Sequence, residues 1–336
     1  MEEKIEEKID FVVTWVDGND IEWQKEKIKY QGNVTNDSNS IVRYREWNLL
    51  KYWFRGVEKY APWVNNIYFV TCGHYPEWLN LNNPKLKLVK HTDYIPKKYL
   101  PTFSSHTIEL NLNRIQGLSE KFVYFNDDMY LTDKVKKEDF FEKNLPVDSF
   151  SLGIIAPNAK NELIQHVLLN NMSIVVKEFD KKKNFKKNWR KYLNIKYGFS
   201  NLKTLYMLPL PYLTFNESHV CVSLLKSTLN TLWEKEFEIL NKTSLNKFRT
   251  FEDVNQWVFR YWQLASGNFI PRKFNFGKRF ELSNQNKNIL ESIKNQKYKV
   301  ICINDSNPDV DFYKTKQELI DAFKKILPEK SSFEKE

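Results

Sequence analysis

The 336 residues are 41% hydrophobic and 15% aromatic, enough to build a large core and too apolar for a disordered chain. The 9 glycines never form a G-x-G pair, which excludes the dinucleotide fingerprint and the Walker loop; a bound nucleotide must be held by side chains and a metal. The net charge of +10 favours polyanionic partners: nucleic acid, anionic lipid or a phosphate-bearing substrate.

Cys72, Cys221 and Cys302 are odd in number and far apart, so they read as reduced core thiols rather than as a disulfide framework or a zinc site. The start, Met1-Glu2-Glu3-Lys4, is acidic, and no apolar run approaches the ~20 residues of a spanning helix. The expectation is a cytoplasmic protein.

In chain order, Ile9 to Val16 reads as a strand that stops at Asp17-Gly18. Residues from Asn48 to Tyr60 form an amphipathic helix carrying Leu49, Leu50, Trp53, Phe54 and Val57, ended by Ala61-Pro62. A second strand runs from Asn66 to Thr71. A helix from Ser105 to Ile115 places Ile108, Leu112 and Ile115 on one stripe. Lys121 to Phe125 is a third strand, halted by Asn126-Asp127-Asp128.

Residues 158–212 break this alternation and read as a basic insertion over the core. Within it the stretch KKKNFKKNWRKYLNIKYGFSNLK, residues 181–203, mixes nine lysines and arginines with aromatics, a composition suited to peripheral membrane or polymer contact. A solvated loop is the plain alternative. A helix is expected from Val220 to Leu240 with His219 at its start, and further helix starts at Thr250 and Thr315, the latter a capping box. The last strand, Tyr298 to Ile303, stops at Asn304-Asp305.

Strands apolar on both faces, alternating with helices, predict an α/β three-layer sandwich with a mostly parallel sheet. Residues 1–157 and 213–336 then form one catalytic domain. In such folds ligands bind beyond the carboxyl ends of the strands. Asp17, Asp127, Asp128 and Asp305 all fall there, and gathered carboxylates suit a hard divalent cation such as Mg2+ or Mn2+. Aspartate before glycine is also ordinary turn chemistry, so Asp17 alone says little. Two adjacent carboxylates after Asn126 exceed what a turn needs. His106 and His219 are candidate proton carriers at helix starts, with helix capping as the competing role. Arg43, Arg45, Arg114 and Arg249 are candidate partners for a diphosphate.

Four blocks, in order, resemble the Stealth family of hexose-1-phosphate transferases. They are Ile9 to Gly18; Arg43-Tyr44-Arg45 through Leu100-Pro101-Thr102-Phe103 and His106 to Asp128; His219 to Phe248-Arg249-Thr250; and Cys302-Ile303-Asn304-Asp305. The chain departs from the family pattern at Glu46-Trp47-Asn48-Leu49, and His219 lacks the usual following proline. The resemblance implies a Rossmann-like, GT-A-like fold and a UDP-sugar donor. It also implies a glycan acceptor, a growing polysaccharide or a lipid-linked oligosaccharide, and no nucleic acid. It implies Asp127, Asp128 and His219 in catalysis and Asp128 and Asp305 at the metal. Asp17, Gly18, Arg43, Arg45, His106, Arg114, Asn126 and Arg249 would then contact substrate. Two alternatives stay open: a metal-dependent glycosyltransferase releasing UDP, and a non-catalytic polysaccharide-binding assembly subunit.

Overall fold

The computed structural model describes residues 8–31, 45–156 and 162–335. Its centre is a sheet built from β1 (Ile9–Thr14), β2 (Ile67–Thr71), β3 (Leu86–Lys90), β4 (Lys121–Phe125) and, after the short strands β5 (Met129–Leu131), β6 (Phe141–Glu142), β7 (Leu145–Asp148), β8 (Leu152–Gly153) and β9 (Thr214–Phe215), the edge strand β10 (Val222–Leu225). The order is β10-β4-β1-β2-β3, parallel except for β10. The chain closes with β11 (Ile270–Pro271), β12 (Gly277–Glu281) and β13 (Val300–Asn304).

Strand alternation explains the layering. Phe11, Val13, Phe69, Val123 and Phe125 point to one face, and Val12, Tyr68, Val70, Phe122 and Tyr124 to the other. After α1 (Ile21–Gln31), helix α2 (Leu50–Tyr60) covers the first face. Beyond α3 (His91–Tyr94), helix α4 (Ser105–Leu110) covers the second. The central strands are therefore buried on both sides, as their composition requires. The one charge inside β1, Asp10, accepts hydrogen bonds from Asn65 Nδ2, the Asn66 N–H and the Ser119 N–H, which compensates its burial and pins the amino end of the sheet.

Residues between the short strands β8 and β9 form α5 (Glu162–Glu178), α6 (Lys181–Tyr192) and α7 (Ser200–Met207). They share a third cluster, with Met172, Val175, Tyr192, Tyr197 and Met207 packed against Tyr261 and Phe269. Then follow α8 (Lys226–Lys235), α9 (Phe237–Leu245), α10 (Trp257–Ser266), α11 (Lys287–Lys294) and α12 (Phe312–Ile326). Helices α8 and α10 join the second face, α11 and α12 the first. Among the described residues no helix is long and apolar enough to cross a membrane.

Three predicted elements need correction. The helix expected from Val220 to Leu240 begins only at Lys226, because Val222 and Leu224 alternate onto the β4 edge with Ser223 between them. His219 therefore lies in a loop before a strand, not at a helix start. The Thr250 start is a turn: the Asp253 carboxylate accepts from the Thr250 N–H, the Thr250 hydroxyl and Asn246, and α10 starts only at Trp257. The last helix starts before Thr315, capped by Asp311, whose side chain accepts the Lys314 N–H.

Candidate active site at the carboxyl ends of the strands

The carboxyl end of β4 runs into the turn Asn126-Asp127-Asp128, and β5 then pairs antiparallel with β13, Met129 opposite Cys302. That pairing carries the Asp128 side chain over β13, where the Cys302 thiol donates to Oδ2 at 3.2 Å. Asp128 Oδ1 is buried with no partner. His219 approaches from the loop before β10. Donor atoms of Asp128, His219 and Cys302 all lie within 4.8 Å of one another, a group able to hold a metal ion. His219 Nδ1 is also buried without a partner. Orphaned buried donors of this kind are what a bound cation would satisfy, so the residues fit a divalent metal.

Burial pushes the Asp128 carboxyl up to about 6, against the opposing influence of Cys302 and Arg279. Solvent reaches Asp127, yet the protein rising around it desolvates the carboxyl. With repulsion from Asp128 and Glu46, this pushes it up to about 7. Burial and the Arg279 charge push His219 down to about 3, so its ring is neutral near pH 7. The Cys302 thiol is pushed far above its ordinary value by burial and by Asp128, so it stays a protonated donor. Asp128 is thus oriented by a thiol hydrogen bond that leaves one oxygen free.

Asp305 follows β13 and faces Arg45, with Nη1 3.7 Å from Oδ2. Arg45 Nη2 donates to the Pro308 carbonyl at 3.0 Å. Asp305 lies beside Trp47, but neither carboxylate oxygen makes a hydrogen bond of ordinary geometry, and burial pushes the group up to about 6. Asp305 does not belong to the close Asp128 group. Glu281 links the two: it raises both carboxyls and accepts from Asn304 and Ser306 at 2.6 and 2.8 Å.

Asp17 ends β1. Its N–H donates to His74 Nε2 at 2.8 Å, and its carboxylate caps the turn through the Asn19 N–H. Gly18 accepts from Gln24 through its carbonyl. Glu46 connects this corner to the centre, since the Asp17 charge raises Glu46 and the Glu46 charge raises Asp127. The aspartates beyond three strand ends thereby feel one another's charge through Glu46 and Glu281, with Arg45 and Arg279 set among them.

The remaining candidates separate. His106, buried, pairs Nδ1 with Asp253 Oδ2 at 2.9 Å, and Arg249 Nη2 donates to Ser105 at 2.7 Å, so both sit at the start of α4. Phe103 stacks on Phe248 and meets Trp23 of α1, forming an aromatic rim. Arg114 is not brought to this end. The chain descends from His106 to Arg114 before re-entering β4 at its amino end, and the guanidinium lies over Trp233 at 4.6 Å. Arg43 lies outside the described residues.

Arg279, Glu281, Glu46 and Arg260 were not identified from the sequence. Arg279 sits opposite Cys302 on β12, and this pairing, rather than anything in the local run Lys278-Arg279-Phe280-Glu281, places it beside the site. Arg260, buried on α10, donates from Nε and Nη2 to Asp148 at 2.6 and 3.1 Å and from Nη1 to Glu217 at 2.8 Å. It holds the loop in which His219 adopts a left-handed φ of 47°, a conformation a bulky side chain keeps only when its surroundings enforce it.

Comparison with known proteins matches the chain to a family. The models of Stealth protein conserved region 1 and conserved region 2 match residues 7–35 and 43–148. The capsular polysaccharide phosphotransferase WcwK of Streptococcus pneumoniae is 52% identical over 333 residues, 98% of each chain. The receptor polysaccharide phosphotransferase WefC of Streptococcus gordonii is 44% identical, over 98% of this chain and 99% of that one. The exopolysaccharide phosphotransferase cps2G of Lactiplantibacillus plantarum is 40% identical, over 97% and 96%. Among solved structures, the galactosyltransferase LgtC with donor and acceptor sugar analogs aligns over 93% of this chain and 95% of its own at 10% identity and a TM-score of 0.39. The bifunctional glycosyltransferase WbbM aligns over 96% and 50% at 11% identity and a TM-score of 0.41. The full-length relatives set aside the binding-subunit alternative. The chain is a transferase and belongs to the Stealth family of polysaccharide phosphotransferases.

Proposed function

We propose that this enzyme transfers a hexose-1-phosphate, such as GlcNAc-1-phosphate, from a UDP-sugar to a hydroxyl of a glycan acceptor. The acceptor oxygen bonds to the β-phosphorus, the bond from that phosphorus to the bridging oxygen breaks, and UMP leaves with that oxygen. The product is a phosphodiester of capsular or other cell-surface polysaccharide.

The observation that carries this reading is the cluster of buried, unpartnered Asp128 Oδ1 and His219 Nδ1 at the strand ends of a phosphotransferase-family chain. Asp128 and His219 would hold Mg2+ or Mn2+, with Cys302 orienting Asp128 rather than binding as a thiolate. When bound, the cation supplies charge stabilisation to the phosphoryl oxygens. Phosphoryl transfer depends mainly on positioning and electrostatics. Arg279, beside Asp128 and His219, and Arg45, held by Asp305, would face the diphosphate. Asp17 and Gly18 would line the nucleotide end of the cleft. Asp127, the accessible carboxylate of the pair, would accept the acceptor proton, while Asp128 is turned in toward Cys302. His106 and Arg249 would form the acceptor side, with Asn126 in the turn between.

A donor radiolabelled in its β-phosphate tests the reading. Label should enter the glycan product. If the label stays with the nucleotide while sugar enters the glycan, the UDP-releasing alternative holds instead.

A further inference from the structure

We infer that the face formed by the turn after α6 and by α7 docks on an anionic lipid bilayer. Helix α7 already has its packed side: Thr204 and Met207 are buried, as is Tyr197 just before it. The outward side of an ordinary surface helix would be polar. Here it carries Phe199, Leu202, Leu205 and Tyr206, and Ile195 precedes them; Ile195, Phe199 and Tyr206 are 94%, 90% and 83% exposed. Phe199, Leu202 and Tyr206 are spaced three and four apart, which places them on one stripe. Side chains this exposed and this apolar, gathered on one ridge, mark an interaction surface rather than scattered surface hydrophobics.

Charge decides the occupant. From residue 181 to 212 the chain holds nine lysines and arginines and no aspartate or glutamate. Lys182, Lys183, Lys186 and Lys187 are all exposed on α6. Tyr192, Tyr197 and Met207 lock α6, the turn and α7 into one unit, so the lysines and the ridge move together. A second copy of this face would bring like charges into contact. A soluble anionic polymer would use the lysines and leave the ridge exposed. A bilayer with anionic headgroups uses both, the rings and aliphatic side chains entering the interface and the ammonium groups meeting phosphate. The unit continues through β9 into the loop of Glu217 and His219, and Lys203 reaches Asn216 at 3.2 Å. Docking would therefore set the cleft close to the bilayer surface, where a lipid-linked acceptor presents its glycan. This last consequence rests on the proposed function; the docking itself does not.

Flotation of the full chain with vesicles tests the inference. Binding is expected on phosphatidylcholine–phosphatidylglycerol vesicles and not on phosphatidylcholine alone. Ile195→Ser/Phe199→Ser/Tyr206→Ser and, separately, Lys→Gln at 182, 183, 186 and 187 should each weaken binding by roughly tenfold or more. The lysine variant touches no packed side chain, so it decides the matter if the triple variant fails to fold. Absence of wild-type binding to the mixed vesicles overturns the inference, as does equal binding by the lysine variant. So does a wild-type dimer that the triple variant converts to monomer without any vesicle binding, which would make the ridge a contact between two copies.

Discussion

The Cys302 thiol donates to Asp128 Oδ2 at 3.2 Å, from the middle of β13 to the turn after β4, and leaves Asp128 Oδ1 buried and unpartnered. A cysteine that composition marks as a plain core thiol is thereby a positioning residue for a proposed metal ligand. Replacing it separates the two roles. Cys302→Ser keeps an O–H donor and should retain most turnover. Cys302→Ala removes the donor and should cost about tenfold in turnover, on the order of 1–1.5 kcal/mol. Weakened Mn2+ binding by the alanine variant, measured calorimetrically, should accompany that loss.

Arg260 governs the loop that presents His219. Arg260→Met would leave buried Asp148 with only Arg272, 4.0 Å away, and half-buried Glu217 without its cation. Glu217, already pushed up to about 7 by burial despite Arg260, would become neutral, and Asp148 would lose its fork. The expected cost is roughly 3–5 kcal/mol of stability, read from urea unfolding. Asp148→Asn alone should cost less, because Arg260 keeps Glu217.

His74 accepts the Asp17 N–H at Nε2, which requires a neutral ring, and burial lowers its pKa despite Asp20 and Asp17. His74→Ala should raise the donor KM about tenfold, ~1.4 kcal/mol, with kcat nearly unchanged. His74→Gln, whose carbonyl can accept the same N–H, should recover part of the loss. Acidification that protonates His74 should mimic the alanine variant in the wild type. Steady-state kinetics against donor concentration distinguishes these outcomes.

His91 gives the fold a pH dependence of defined sign. Burial, reinforced by His74, holds it at about 4, below the ordinary histidine range. Below about pH 6.5 the unfolded chain binds a proton at His91 that the folded one refuses, so the contribution of His91 to stability is full at neutral pH and falls as pH drops toward 4. The loss should approach roughly 3 kcal/mol by the end of that window. His74 adds a slope of the same sign. Urea unfolding across this range should show the stability of the wild type falling relative to that of His91→Asn as pH drops, even though the raised carboxyls of Asp127, Asp128, Asp305 and Glu217 pull both curves the other way.

The parts legible in the sequence are those where local pattern and fold agree. Strands apolar on both faces announced a covered parallel sheet, and the aspartates expected after them stand beyond its carboxyl edge. The parts that were not legible depend on distant pairing. Val222 to Leu225 looks helical beside Leu229 and Leu232, and only the open edge of β4 makes it a strand. Arg279 and Glu281 became visible only when β12 aligned with β13, because nothing local separates a working arginine from a surface one. Arg114 shows the converse. The sequence predicts it on the helix of His106, but α4 ends at Leu110, and Arg114 lies on a separate short 3-10 turn, Leu112–Arg114, with its guanidinium over Trp233.

The central claim is that the bond broken lies between phosphorus and the bridging oxygen. It is tested most directly by incubating the purified chain with a panel of UDP-sugars, a glycan acceptor and Mg2+ or Mn2+, and separating the nucleotide products. UMP accumulating in step with sugar phosphate in the glycan, and lost in Asp128→Asn, is the expected result. Accumulation of UDP would contradict it.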